Sequence, residues 1–429
     1  MSSTILDVGE KFLTDESIKS LNYVEYKPIV GSRLNTPGNI EIIIENTDDF
    51  YYPHRSWLLI QGQLVKNDGT AYADADMVAL TNNGIMHLFT NINYQLNGRV
   101  IENLNHPGHA TTLLNTIKNT STFNKSFGLA QCWQPDTSTG TDDNNTGFTV
   151  RQSYIIKKPN PKGTFSFIIP LDSIFGFCED YTKVIYGMRH TLSLSRSTND
   201  NDAIFRSNAA NLAGKVKLSR ISLMIPRVLP NDAEKYKLYK TIESVKTLDF
   251  GFRIRQCSMI EVAQNTAMTW RLGLQSVSEK PRWVIVGLQT DKINDQTKNS
   301  SLFNHCNVTN MSVTLNNVKY PMLDANADFT RFQFMPFYKS LMDFNQSFYG
   351  VDPLVGNASI NPVSFQELTP IFVFDVTKQS ERLDTGVVDM SIEMQFKENV
   401  PANTRAYALV INDRKWQLQS DGRNMTIQY

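Results

Sequence analysis

The chain reads twice. Trp57-Leu58-Leu59-Ile60, running to Lys66, is answered 226 residues later by Trp283-Val284-Ile285-Val286, running to Lys292. Ile92 to Asn97, followed by Gly98, is answered at 219 residues by Met311 to Asn316, followed by Asn317. Asp172 is answered by Asp375 at 203, and Arg220 to Ile225 by Arg405 to Val410 at 185. Four matches in one order, with a shrinking offset, constrain the fold more than any single motif does. They predict two similar units, the first with longer insertions. The competing reading, two unrelated β domains, leaves that shared order as coincidence.

The repeated units are built of strands. Most apolar clusters are short, rich in Val, Ile, Phe and Tyr, and bounded by Asn, Asp, Gly or Pro. In the first unit the candidates are Asn39 to Glu45, Trp57 to Val65, Ile92 to Leu96, Thr164 to Ile169, Thr191 to Leu194 and Val216 to Ile225. In the second they are Met268 to Leu274, Trp283 to Gln289, Val308 to Leu315, Ile371 to Phe374, Val388 to Phe396 and Tyr407 to Ile411. Between the sets, Asn231 is an N-cap residue with carboxylates in the turn after it, so a short connecting helix is predicted up to Glu243. Thr111 to Lys118 is a second helix candidate, with Leu113, Leu114 and Ile117 on one side. The division predicted is an N-terminal arm over 1–30, a first sandwich over 31–230, a linker helix over 231–245 and a second sandwich over 246–429.

Three insertions read as solvent-facing excursions: Pro135 to Gly147, Ser195 to Gly214 and Gly350 to Ser364. All are rich in small polar residues. The longest apolar runs, Phe165 to Leu171 and Trp283 to Leu288, are too short to span a bilayer. Met1 to Asp7 has no basic stretch leading into an apolar one, which predicts a chain made without a secretory signal. Cys132, Cys178, Cys257 and Cys306 lack the paired spacing of a disulfide framework or a zinc site, pointing to a reducing compartment.

Motifs for catalysis are missing. There is no G-x-x-x-x-G-K-[ST], H-E-x-x-H, G-x-S-x-G or G-x-G-x-x-G in the sequence. His106-Pro107-Gly108-His109 reads as a turn before it reads as a metal site. Asp74-Ala75-Asp76 lacks the glycine and terminal glutamate of a calcium loop. His305 and Cys306, if adjacent on a strand, point to opposite faces and cannot act as base and nucleophile. No catalytic, cofactor-binding or metal-binding residue is assigned, and no cofactor is expected. Forty-two basic residues balance forty-two acidic ones, so the chain lacks the positive field of a non-specific nucleic-acid binder. The first 30 residues hold three lysines against five acids, which argues against a nucleic-acid arm. Arg253 and Arg255, two apart in a strand-like stretch, read as a solvated face.

Taken in order, several segments resemble the double jelly-roll major capsid proteins of Polinton (Maverick) elements and adintoviruses, a lineage that includes the adenovirus hexon and virophage shells. In the first unit the resemblance lies in Asp49-Phe50-Tyr51-Tyr52, Asp76-Met77-Val78, Asn82-Asn83 leading to His87-Leu88-Phe89, and Ile92 to Gly98. In the second it lies in Lys280 to Leu288, Leu302-Phe303-Asn304-His305, Val313 to Asn317 and Tyr320-Pro321. Met390 to Phe396, Val400-Pro401 and Asp421 to Tyr429 extend it to the end of the chain. Ser301-Leu302-Phe303 departs from the family's Asn-Pro-Phe, and the insertion at Pro135 to Gly147 is this chain's own.

The resemblance implies an all-β chain of two tandem eight-stranded antiparallel jelly-roll sandwiches with short helices in loops and linker. It implies a non-enzymatic major capsid protein, assembling as a pseudo-hexagonal homotrimer that tiles an icosahedral shell around a double-stranded DNA genome. The partners implied are copies of itself, a vertex (penton) protein and minor capsid proteins, with no sequence-specific nucleic-acid binding. Its place would be the virion, after synthesis in the host cytoplasm, with the nucleus open as the assembly compartment. An internal membrane is left open. A different class is kept beside it: a carbohydrate-binding or carbohydrate-active tandem jelly roll, for which Phe148, Tyr154, Phe348 and Tyr349 would be the exposed aromatic platform.

Overall fold

Each unit contains eight principal strands. In the first they are β1 (Ile18–Tyr26), β2 (Gly38–Ile44), β3 (Trp57–Lys66), β4 (Phe89–Leu96), β5 (Arg99–Asn105), β6 (Thr164–Pro170), β7 (His190–Arg196) and β8 (Gly214–Pro230). In the second they are β9 (Thr247–Glu261), β10 (Ala267–Leu272), β11 (Lys280–Thr290), β12 (Val308–Leu315), β13 (Val318–Tyr320), β14 (Ile371–Asp375), β15 (Met390–Phe396) and β16 (Thr404–Ser420). This is a computed structural model, and it describes residues 16–244, 247–273, 280–352, 359–379, 388–420 and 425–428.

The first unit pairs its strands β1-β8-β3-β6 in one sheet and β2-β7-β4-β5 in the other. The second pairs β9-β16-β11-β14 and β10-β15-β12-β13. Adding eight to every label of the first unit yields the second, so the strand order is the same in both: two antiparallel jelly rolls in tandem. Three of the four sequence matches fall on equivalent strands; of the fourth, Asp375 ends β14 while Asp172 lies in the short helix after β6. Trp57 and Trp283 stand on β3 and β11, facing Pro170 and Asp375 across the neighbouring strand. Arg220 to Ile225 lies in β8 and Arg405 to Val410 in β16. Both β4–β5 and β12–β13 turn on two residues of positive φ, Asn97-Gly98 (48° and 76°) and Asn316-Asn317 (43° and 70°). That pair of left-handed residues matches the strand twist in a two-residue hairpin, which is why Asn and Gly recur there.

Strand alternation shows directly in burial. Along β3, Leu58, Ile60 and Leu64 are fully buried while the residues between them are half-exposed. Gly62 sits in the same row because a Cβ there would come within 2.6 Å of the Lys217 carbonyl and 2.8 Å of the Phe165 ring. One hydrophobic core runs through both units.

Helices fill the connections: α1 (Gly84–His87), α2 (Pro107–Lys118), α3 (Gly176–Asp180), α4 (Asp232–Ser244) between the units, and α5 (Met335–Tyr349). Among the described residues no helix is long and apolar enough to cross a membrane.

Several expectations change. The 1–30 arm does not hold over Ile18–Tyr26, which is β1, paired along its length with β8; residues 1–15 lie outside the described residues. Its apolar residues sit on an edge exposed on both faces, so no alternation marked it. The α2 helix begins at Pro107, within the predicted turn, because proline at the first helical position loses no hydrogen bond. Ser195 to Gly214 is no simple excursion: Ile204–Arg206 pairs with Val78–Leu80, and Ala203, Ile204 and Phe205 are buried. Within Gly350 to Ser364, residues 353–358 lie outside the described residues and a helix starts at Pro362.

Candidate functional site: the seam between the units

Glu102, on β5, is 1% exposed and holds three backbone donors at once. Its Oε1 accepts from the N–H of Gly176 (3.0 Å) and of Arg255 (2.8 Å), and its Oε2 from Phe177 N–H (2.9 Å). The carboxylate therefore ties the start of α3 to the edge of β9 in the second unit. One step along that edge, Asp180 accepts from the Arg253 backbone N–H and its Nε, both at 2.8 Å, and from its Nη2. An edge strand with unpaired N–H groups invites pairing with another chain. Here two carboxylates of the first unit cap it.

Arg253 and Arg255 are thus not a solvated face. Arg255 is 2% exposed, donating to Glu179 Oε2 (2.6 Å) and to the Ser173 carbonyl (2.8 Å). Glu179 also accepts from Lys118 at 2.8 Å. Burial pushes the Glu102 carboxyl up to about 7, against Arg255 and the three N–H donors, which favour the charged form. Glu179, although burial would raise it, is held at about 2 by Arg255 and Lys118. From α5, Phe348 lies under the Arg253 guanidinium (4.0 Å) and Tyr349 under the Lys118 ammonium (5.3 Å).

A second stretch of the seam is made by loops. Gln296, after β11, binds both backbone groups of Gly214 (3.0 and 2.7 Å) and the side chain of Asn201 (2.9 Å). Asn294 N–H donates to Asp202 (2.8 Å), and Ser301 Oγ to Asp136 (3.3 Å).

That last contact overturns the reading of Pro135 to Gly147 as a free excursion. Asp136 and Arg151 form an ion pair at 2.7 Å with side chains 0% and 1% exposed. Asn145, fully buried, donates to Asp136 (2.8 Å) and to the carbonyls of Ser138 (2.9 Å) and Gly140 (2.8 Å). Asp142, Asp143 and Asn144 form the exposed tip, and Thr137, Thr139 and Thr146 are exposed singly. Composition had said polar, and polar here means internally bonded.

The four aromatics proposed as a sugar platform do not form one. Phe148 is fully buried, Tyr154 packs on Phe167 (5.8 Å), and Phe348 and Tyr349 belong to the seam. Asp74 and Asp76 pair with Lys162 (2.6 Å) and Lys66 (3.2 Å). His305 and Cys306 lie in a turn instead of a strand, Cys306 with φ 45°. His305 accepts from Asn307 N–H (3.0 Å) and stacks on Phe329 (4.5 Å), while burial pushes the Cys306 thiol up, away from the reactive thiolate. All four cysteines are free. Among the described residues no cluster of His, Cys, Asp or Glu is arranged to hold a metal ion.

Among the exposed apolar residues, two groups stand out. In the second unit Met322 (82%), Leu323 (83%) and Phe332 face solvent in the β13–α5 connection. In the first, Ile18, Leu21 and Tyr23 stand on β1, whose outer edge has no strand partner among the described residues. Sequence reasoning missed both, since single exposed apolar residues carry no pattern.

The family model of the double jelly roll-like domain matches residues 78–415. Among solved structures, a chain of the Sputnik virophage matches at a TM-score of 0.62 and 10% identity, over 99% of this chain and 91% of that one. The Faustovirus major capsid protein matches at 0.58 and 10%, over 98% and 93%. The mavirus major capsid protein matches at 0.54 and 10%, over 98% and 92%. No curated protein sequence matches the chain.

Proposed function

The chain belongs to the double jelly roll-like family, and from that premise we propose that it is a major capsid protein that assembles as a homotrimer and tiles an icosahedral shell. The observation that carries this is the strand-for-strand duplication, with two sandwiches of one topology locked by a buried seam. Three such chains around a threefold axis present six similar units, so a trimer packs like a hexagon. Capsid proteins among the structural matches support the same reading. The ordered motifs of the sequence place it, in this proposal, in the Polinton and adintovirus lineage.

The seam binds no substrate in this reading; its charges are spent on each other. The trimer contacts fall to the exposed apolar groups. A ring needs two different surfaces that fit each other, one at the front and one at the back of each subunit. The Met322–Leu323 cluster of the second unit and the β1 edge of the first are such a pair. Burying β1 also removes an edge that would otherwise template aggregation. The further expectations are a vertex protein and minor capsid proteins as partners, residence in the virion, a double-stranded DNA genome enclosed without sequence-specific contact, and no catalytic activity. Size-exclusion chromatography with light scattering tests the proposal: a species of three chain masses supports it, and a stable monomer that binds glycans contradicts it.

A further inference from the structure

We propose that the joint between the two sandwiches is acid-labile: it closes while His87, His106 and His109 are neutral around Tyr407, and weakens when they take up protons. The first unit supplies the three histidines, His87 ending α1 and the other two flanking the start of α2. The second unit supplies Tyr407 and Arg405 on β16 and Gln289 on β11. His109 lies flat on the Tyr407 ring at 3.9 Å and 6°, so the contact between units is a ring stack. His106 meets the same ring at 5.8 Å, and His87 meets His109 edge to face at 4.8 Å. Gly108 presses on His87 so closely that a Cβ would stand 2.5 Å from its ring.

His87 and His109 are each 7% exposed, and the Nε2 of both is buried without a hydrogen-bond partner. A neutral imidazole tolerates that better than a cation, which would need a carboxylate or water there. None of the three rings has a carboxylate hydrogen-bonded to it among the described residues. The charged neighbour on β16 is Arg405, which repels a proton on His106 or His109 and is paired with Glu261 of β9 at 2.9 Å. Asp202, in the β7–β8 connection, faces Arg405 and Tyr407, and the Cys257 thiol of β9 faces Tyr407. Only the uncharged Gln289 side chain favours a proton on His109.

Burial accordingly lowers all three histidines, His87 to about 4 from an ordinary 6.5. The opened joint therefore takes up protons first as pH falls. The histidines' contribution to the closed joint is complete above pH 6.5 and is lost progressively down to about pH 4. A histidine held near 4, as His87 is, that opening returns to 6.5 raises the opening equilibrium about 30-fold between pH 8 and pH 5. Glu102, elsewhere on the seam and raised to about 7, acts in the opposite direction, so the histidines must be tested by name.

The test is amide hydrogen exchange on the full chain at pH 7.5 and 5.0, corrected for intrinsic rates. It follows the segments 106–118 and 404–411, with β15 as the internal reference. Between pH 7.5 and 5.0 the change in protection of the wild-type segments, relative to β15, should be about 30-fold less favourable than in the variant His87→Gln/His109→Gln, since Glu102 acts alike in both. The same response to acid in wild type and variant overturns the proposal. If the double variant does not fold, His109→Gln alone is compared in the same way: a smaller acid loss than wild type supports the proposal, and an equal loss overturns it.

Discussion

Arg255 keeps a full charge where almost no water reaches it, and the Glu179 carboxylate and the Ser173 carbonyl explain how. Removing one member of a buried pair leaves the other uncompensated, which costs about 3–5 kcal/mol. Arg151→Met should therefore lower the free energy of unfolding by that order in urea titrations, since Asp136 would be stranded, and Arg255→Met by less, since Lys118 still pairs with Glu179. Glu179 gives a pH signature. Held at about 2 in the folded chain against an ordinary 4.5, it contributes stability that is present above pH 4.5 and lost as pH falls towards 2. That share is about 3 kcal/mol. Glu179→Gln should be less stable at pH 6 and show a flatter acid limb below pH 4.5; an unchanged limb would place the acid sensitivity elsewhere. None of this could be read from residues alone. Spacing of two put Arg253 and Arg255 on one face, but what covers that face lies some 75 to 150 residues earlier in the chain.

At the scale of elements, strands carrying a dense run of apolar residues were legible, whether buried on one face or on both, and those without such a run were missed. The predicted strands Trp57 to Val65 and Val308 to Leu315 match β3, buried on one face, and β12, buried through its middle on both. By contrast, β9 is fifteen residues long and pairs throughout with β16, yet its charged residues, called to the seam, break the apolar pattern. Helix α5 was missed although it carries a signal: Pro336 at its start, Gly350 in the left-handed conformation at its end, and Phe337, Leu341 and Phe344 buried on one side. The 135–147 connection makes the difference between composition and structure testable. Replacing Asp142 to Asn144 with a shorter glycine linker should leave the melting temperature within a few degrees. Deleting the whole segment should abolish soluble expression, because Arg151 and the Ser301 contact lose Asp136. If the full deletion folds normally, the buried bonds there do not hold the units together.

For the whole molecule, the repeat was the most informative feature of the sequence, since three of its four matches fall on equivalent strands of two sandwiches and the fourth falls where the equivalent strands end. The surfaces used between chains were not legible, because an apolar loop tip looks the same whether it meets water or a second copy. Leu323→Asp should prevent trimer formation while leaving the monomer folded, as light scattering and circular dichroism would show together. A trimer that survives this change would move the contact away from the β13–α5 connection. The account as a whole stands on two like sandwiches in one chain closing a threefold ring. Electron microscopy of the purified protein tests it most directly. Particles of three chains with a nearly hexagonal outline and six like lobes are the predicted result, and isolated monomers or two-fold dimers at every concentration would contradict it.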